Sequence, residues 1–510
     1  MPSFKPDSSF FNKIVLGAVG CRAVTADLNR RGHRMVELER GSTDTKLWKD
    51  VKRKRVRIPD LLCSRCGVRV ESRAKREAVL SMSHSATESE RSWNFGMVDT
   101  DWVAFPLVNA AELPAWSSGR FNGHASYWHE RSWARWKAAP WVNYFTVASF
   151  TAVPFIQLQR KGVTEGSELT IGWPATFSNY DGIVSLVTEE SVTMRRAGDG
   201  RSMPRKFKPG QRAVVTVGER VTAQQILAST VTPLTATQLE CGQEIGPEHI
   251  KTLLGSRQRT QRFTGVKLAR VRHEREYCDT VRNLFQDAEE DIYVRLEALS
   301  YLSDVCREPL AERIRPFLHH VDAQTQLEAV IMLGETPTTE AVQLLTDSLD
   351  DNNMPYFLRS AAAWGLGHLG GNEPARRLIH AFSDVNAVLR QEALDAIVTL
   401  GTGVAPLLVE GLRNADEAIS SGCAEALRQQ VGTTSVQRLV EHVTGADPSR
   451  WAVWLLGMLP RDAVAAEIAG LQDSKPEVHY AVSLLWAFAE SWIARRWEFW
   501  PAAEYPEDNA

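Results

Sequence analysis

Lys46, Lys49, Lys52, Arg53, Lys54, Arg55 and Arg57 fall within twelve residues, with Trp48 among them. Clustered cations of this kind neutralise phosphates and release counterions, which gives sequence-independent nucleic-acid binding. Trp48 could stack on a base or wedge a groove. A few residues on, Cys63 and Cys66 form Cys-Ser-Arg-Cys-Gly, half of a zinc knuckle that needs two further ligands. The chain holds no second Cys-x-x-Cys, so Cys21, His84 or residues of a second chain would have to complete a site. The plainer alternatives are a solvated basic loop and a reduced, partly buried turn. Beyond the turn, Glu71, Arg73 and Lys75 alternate with Val70 and Ala74. On a strand the three charged side chains share one face, because side chains alternate with period two.

The elements that would position these groups can be read from the hydrophobic pattern. Residues 9–31 read as one helix ending at Gly32, and His33–Gly41 as a strand. A basic loop follows, then a strand ending at Cys63, a tight turn, and a returning strand from Val68 to Lys75. A polar stretch precedes another strand, Asp101–Val108.

This order, with Pro59-Asp60 on one strand and Glu71 on the next, resembles the PD-(D/E)XK (restriction-endonuclease-like) nuclease superfamily. The resemblance implies an α/β domain over residues 1–110 in which Asp60 and Glu71 hold Mg²⁺ or Mn²⁺. Two carboxylates at hard-ion distance leave coordination positions for water and phosphate. It also implies a lysine beside them that orients or activates the attacking water. The family pattern places that lysine where this chain has Arg73, and arginine keeps its proton to a pKa above about 12. Lys75 would take the role from a shifted position, with Arg73 clamping phosphate. The alternative is a dead site that binds nucleic acid without cutting it. The plain reading is an amphipathic edge strand. Glu37 and Glu39 could add a ligand or a supporting contact, or simply face solvent, and Asp27 is expected at the surface.

The middle of the chain is less informative. Residues 111–149 read as a Trp-rich connector containing Trp116, Trp128, Trp133, Trp136 and Trp141, with aromatics at helical spacings. Residues 150–235 alternate in short strands separated by turns such as Asp181-Gly182 and Pro209-Gly210, which predicts a small antiparallel β-barrel or β-sandwich. Arg195, Arg196, Arg201, Arg205, Lys206 and Lys208 concentrate positive charge near one of its hairpins. Residues 236–285 read as a helical connector.

From about 286 to 500 the sequence repeats. Apolar helical segments align on Ala298, Ala329, Ala362, Ala393 and Ala424, with further copies around Ala452 and Ala481. A period near 31 with paired helices is the signature of an α-solenoid, in which each unit buries its apolar face only against its neighbours. Gly334, Gly367, Gly401 and Gly457 are expected to cap these helices. The segments resemble HEAT repeats of the short type found in phycobilin-lyase-like proteins, which implies a docking scaffold for a protein partner. The tail 501–510 reads as disordered.

Composition limits the functional classes. A net charge of −3 confines any nucleic-acid surface to a local patch. No membrane span or export signal is read from the sequence, and the seven cysteines are expected to be reduced, which together point to a cytoplasmic protein. The expected fold is therefore multidomain: a restriction-endonuclease-like α/β domain, a small β-barrel or sandwich, and a C-terminal α-solenoid of HEAT-like repeats. The expected function is metal-dependent nucleic-acid cleavage, with DNA favoured, Mg²⁺ or Mn²⁺ as cofactor, and Zn²⁺ as a further metal at Cys63 and Cys66. By analogy alone, such a fusion suits prokaryotic defence or DNA processing. The alternative is a non-catalytic adaptor. Oligomeric state is not readable.

Overall fold

The computed structural model describes residues 8–43, 57–110, 136–160, 168–430, 433–445, 449–459 and 461–499. The basic residues Lys46, Lys49, Lys52, Arg53, Lys54 and Arg55, with Trp48, Trp116, Trp128, Trp133 and the tail, lie outside the described residues. The chain divides into two compact units, 1–294 and 295–510.

In the first unit, helix α1 (Ser8–Arg30) ends where Gly32 takes a positive φ of 82°, a conformation glycine adopts without strain. A mixed sheet follows: β1 (Met35–Glu37), β2 (Leu61–Cys63), β3 (Arg69–Ser72), β5 (Trp102–Ala110) and β6 (Trp136–Thr146), hydrogen-bonded in that order. β1, β2 and β3 run antiparallel, β3 and β5 parallel, and β5 and β6 antiparallel. One face packs on α1, where Val24 and Leu28 meet Leu61, Val70, Ala104 and Tyr144. Gly20 makes that approach feasible, since a Cβ there would lie 2.6 Å from Ala74 Cβ. The opposite face presents Val103, Phe105 and Phe145 to a cluster with Leu80, Phe150 and Trp173.

The sheet does not stop at residue 110. β6 belongs to it, although its sequence lies in the expected connector and has aromatics at helical spacing. Eleven extended residues pairing along β5 outweigh that local pattern.

The predicted β-module is observed as three small antiparallel sheets. β12 (Ser202–Lys206), β11 (Ser191–Arg196), β10 (Gly182–Val187) and β14 (Arg220–Val221) form the first. The second holds β13 (Arg212–Ala213), β15 (Ile226–Ser229) and β9 (Ala175–Phe177). The third joins β4 (Ser81–Ser85), β8 (Glu168–Gly172) and β7 (Ile156–Arg160), so a strand from the N-terminal stretch completes it. α3 (Pro247–Leu254) and α4 (Arg259–Val271) follow, after the short α2 (Val147–Thr151).

Helical repeats make up the second unit. Each of the alanines at 298, 329, 362, 393, 424 and 452 is fully buried in a helix. Recurrent N-caps start the helices: Asp322, Thr338, Asn386, Asp416 and Ser449 each accept a backbone N–H from the first turn. Gly401, with φ 71°, is a C-cap as expected. Gly334, Gly367 and Gly457 are not caps. They lie within helices where neighbours cross closely: a Cβ on Gly334 would sit 2.7 Å from Gly365 Cα, and one on Gly367 would sit 2.7 Å from Ala396 Cβ. Gly370, with φ 74°, terminates the helix Tyr356–Leu369 instead. Gly367→Leu should therefore force the helices apart, lowering stability by about 1–3 kcal/mol. Urea unfolding would measure this, with Gly403→Ala as the open-space control.

One stretch, Ala387–Gly411, is long and apolar enough to cross a membrane by composition. Gly401 breaks it into the helices Ala387–Leu400 and Ala405–Gly411 within the repeats. Of the seven cysteines, Cys21, Cys63, Cys66, Cys241 and Cys423 are free thiols.

Candidate functional site

The β2–β3 hairpin determines where the acidic residues go. Leu61 pairs with Val70 and Leu62 with Arg69, so Asp60 immediately precedes the last pair on β2 and Glu71 immediately follows it on β3. Leu61 and Val70 point towards α1. Alternation therefore turns Glu71, which pairs with Val103 of β5, to the other face, with Asp60 at the neighbouring strand end.

Asp60 is fixed by both its backbone and its side chain. Its carbonyl accepts from Leu38 N (2.9 Å), Glu39 N (3.3 Å) and Ser42 Oγ (3.2 Å). Its Oδ2 accepts from Ser72 N at 2.8 Å. The carboxylate thus stands in for a strand carbonyl at the point where the hairpin ladder ends. Both acids are buried, Asp60 at 7% exposure and Glu71 at 4%.

Arg73 and Lys75 continue beside β5, with Arg73 N donating to Ala104 O (2.7 Å) and Lys75 N to Pro106 O (3.0 Å). This even spacing keeps Glu71, Arg73 and Lys75 in one phase, as the alternation predicts. Arg73 Nη2 lies 3.0 Å from Glu71 Oε1. Burial lowers the Lys75 ammonium to about 8, helped by the Arg73 charge. A lysine at that value is partly neutral near physiological pH and can accept a proton.

A second ion pair braces the same face. Arg69 Nη2 meets Asp101 Oδ2 at 2.5 Å and Arg69 Nε meets Asp101 Oδ1 at 2.9 Å, with both side chains 3% exposed. Arg69 Nη1 also donates to Thr264 Oγ1 on α4 at 3.2 Å, and Val98 N donates to Asp101 Oδ2. This pair locks the start of β5 against β3, directly below Glu71.

Other expected roles fall differently. Glu37 accepts from Gly41 N and Thr43 N, so it holds a turn. Asp27 is not at the surface: it is buried, accepts the Tyr144 hydroxyl at 2.9 Å and pairs with Arg30 and Arg31. That contact ties α1 to β6. Arg57 takes a positive φ of 46°. On the β11–β12 hairpin, Arg195, Arg196, Arg201, Lys206 and Lys208 are exposed and Arg205 is half-buried. Asp199 there pairs with Arg196 and Arg201.

Cys63 and Cys66 do gain two companions, but not Cys21 or His84. The ligand atoms of His33, Cys63, Cys66 and Cys241 all lie within 4.8 Å of one another. His84 instead packs against Phe155, and Cys21 is buried in α1. His33 and Cys241 carry no sequence signal, because neither has a ligand-like spacing to the Cys-x-x-Cys pair; only the fold brings them there.

Residues 311–398 match the HEAT-repeat family. HEAT repeats therefore lie within the second unit. No curated protein matches the chain. Among solved structures, the Escherichia coli protein YibA is similar at 13% identity, over 48% of this chain and 93% of that one, with a TM-score of 0.25. Human deoxyhypusine hydroxylase is similar at 18% identity, over 44% of this chain and 99% of that one, with a TM-score of 0.18. The CpcE–CpcF complex of phycocyanin lyase from Nostoc sp. PCC7120 is similar at 19% identity, over 49% of this chain and 88% of that one, also with a TM-score of 0.18.

Proposed function

We propose that the first unit is a divalent-metal-dependent phosphodiesterase acting on nucleic acid, DNA foremost, and that the HEAT repeats dock a protein partner. The observation that supports the catalytic reading is the β2–β3 pairing of Leu61 with Val70, which sets Asp60 and Glu71 at adjacent strand ends, with Lys75 further along beside β5. Helix α1, the β1–β3 meander and the parallel β5 supply the order that the restriction-endonuclease-like resemblance implies.

In this reading Asp60 and Glu71 would hold one Mg²⁺ or Mn²⁺ ion. Bound there, such an ion would supply Lewis-acid activation of the phosphate and of the attacking water. Lys75 would take the water's proton as the water oxygen bonds to phosphorus and the P–O bond to the leaving strand breaks, the departing oxygen taking a proton from solvent. Arg73 cannot act as a base; its planar donors would suit it to pair with the phosphate. Lys46, Lys49, Lys52, Arg53, Lys54, Arg55 and Arg57 would hold the flanking backbone by charge.

The pH profile follows from Lys75. Below about 8 its proton blocks the base role, so the cleavage rate should rise with pH up to that point and then level off. Initial rates between about pH 6 and 9.5, a window that brackets this value, would show it, and Lys75→Met should lose this limb of the profile.

The Arg73–Glu71 ion pair favours a second reading, in which the acid is already neutralised and the module binds nucleic acid without cutting it. Incubating the purified chain with plasmid, single-stranded DNA and RNA in Mg²⁺ or Mn²⁺ separates the two. Metal-dependent cleavage supports the first; retention of nucleic acid with no cleavage supports the second. Neither activity removes both.

For the repeats, Val321 and Val385 support protein docking. They are 97% and 95% exposed and each precedes an N-cap, Asp322 and Asn386. Apolar side chains at equivalent turns of a solenoid form a ridge that a partner can cover.

A further inference from the structure

We propose that His33, Cys63, Cys66 and Cys241 together hold one structural Zn²⁺ ion. Three thiols and an imidazole form a complete four-ligand set of the kind found in closed structural zinc sites. Tetrahedral coordination at a Zn–S distance of about 2.3 Å sets neighbouring sulfurs roughly 3.8 Å apart. The observed convergence within 4.8 Å, with His33 Nδ1 3.5 Å from Cys66 Sγ, needs only a small contraction to reach it.

The surroundings are those a metal site requires. His33 points Nδ1 into the cluster, and its Nε2 lies 3.1 Å from Leu239 O. A hydrogen bond from Nε2–H to that carbonyl fixes the tautomer with the Nδ1 lone pair facing inward, which orients a histidine ligand. Cys63 Sγ accepts backbone N–H groups from Arg34 (3.4 Å) and Cys66 (3.5 Å). These donors stabilise a thiolate. Gly67 takes φ 76° and donates to Cys63 O at 2.9 Å, closing the Cys-x-x-Cys-Gly turn. The Cys66 side chain holds the Cys63 thiol well below its ordinary range, against burial and with help from His33 and the two amides. Cys66 is pushed up, first by Cys63. An array of soft thiolates with one imidazole selects zinc over magnesium or calcium.

The ion would join three separate segments: the turn after α1, the β2–β3 turn, and the stretch following β15. Its effect is to fix the hairpin whose open end carries Asp60. The site stands whether or not the chain cleaves nucleic acid, because its readout is metal content.

The test uses the full chain purified without added metal. Elemental analysis should find about one zinc per chain, released when a mercurial titrates the thiols. Replacement with Co²⁺ should give thiolate charge-transfer and tetrahedral ligand-field absorption, a readout that needs no variant. Cys241→Ser and His33→Ala should each lose most of the zinc, whereas Cys21→Ser should keep it. Metal-free protein whose Cys63, Cys66 and Cys241 react freely, with no Co²⁺ spectrum, would overturn the proposal. So would a disulfide between any two of these cysteines in freshly isolated protein.

Discussion

Asp60→Asn and Glu71→Gln should each cut metal-dependent cleavage by about 10³-fold while leaving the fold intact. A shared cation contributes several kcal/mol to the transition state, and each 1.36 kcal/mol is a factor of ten in rate. The amides are chosen for what they preserve. An asparagine side chain in place of Asp60 can still accept the Ser72 N–H that Asp60 Oδ2 now accepts, so the end of the hairpin keeps its bond. A glutamine in place of Glu71 keeps the volume of a side chain buried at 4% exposure and removes its charge. Cleavage rates at saturating Mn²⁺, beside circular dichroism of each variant, would check this. An unchanged rate in either variant would show that its carboxylate holds no catalytic ion. A rate restored in Glu71→Gln by higher Mn²⁺ would identify weakened affinity as the defect.

The second large effect concerns stability. Asp101→Ala should destabilise the first unit by about 3–5 kcal/mol, because it leaves Arg69 charged and buried without its partner. Arg69 keeps only Thr264 Oγ1 and a longer contact to Gly96 O, and neither neutralises a guanidinium. Replacing both members, Arg69→Met with Asp101→Leu, should recover most of the loss, since an apolar pair of similar volume avoids the desolvation cost. Denaturant unfolding of the two singles and the double gives the coupling directly. A single-variant loss below about 1 kcal/mol would mean that water reaches the pair.

Much of this architecture could be read in the sequence, for physical reasons that differ by region. The solenoid was plain because Ala298, Ala329, Ala362, Ala393 and Ala424 mark the same crowded helix crossing in successive units. The roles of Gly334 and Gly367 were not, because a helix-end glycine and a helix-crossing glycine look alike in one dimension. The α1–β1–β2–β3–β5 order and the shared face of Glu71, Arg73 and Lys75 followed from period-two alternation. β6 is not legible in the sequence because Trp136 and Trp141 lie in a segment whose aromatic spacing mimics a helix, and only the pairing with β5 decides it. At the metal cluster, Cys63 and Cys66 announced themselves by spacing. Their companions His33 and Cys241 could not, since contacts between residues so far apart in sequence are made by the fold alone. The burial of Asp27 was hidden for the same reason: its partner Tyr144 lies on a strand at the far side of the sheet.

The central claim is that two acids on neighbouring strands share one cation. Crystals grown or soaked in Mn²⁺ and measured for anomalous scattering test it most directly. The account predicts a peak bonded to one oxygen each of Asp60 and Glu71, at roughly 2.0–2.6 Å as for other hard cations, with Arg73 swung away from Glu71. No peak there at saturating Mn²⁺, with the Arg73–Glu71 ion pair unchanged, would contradict it.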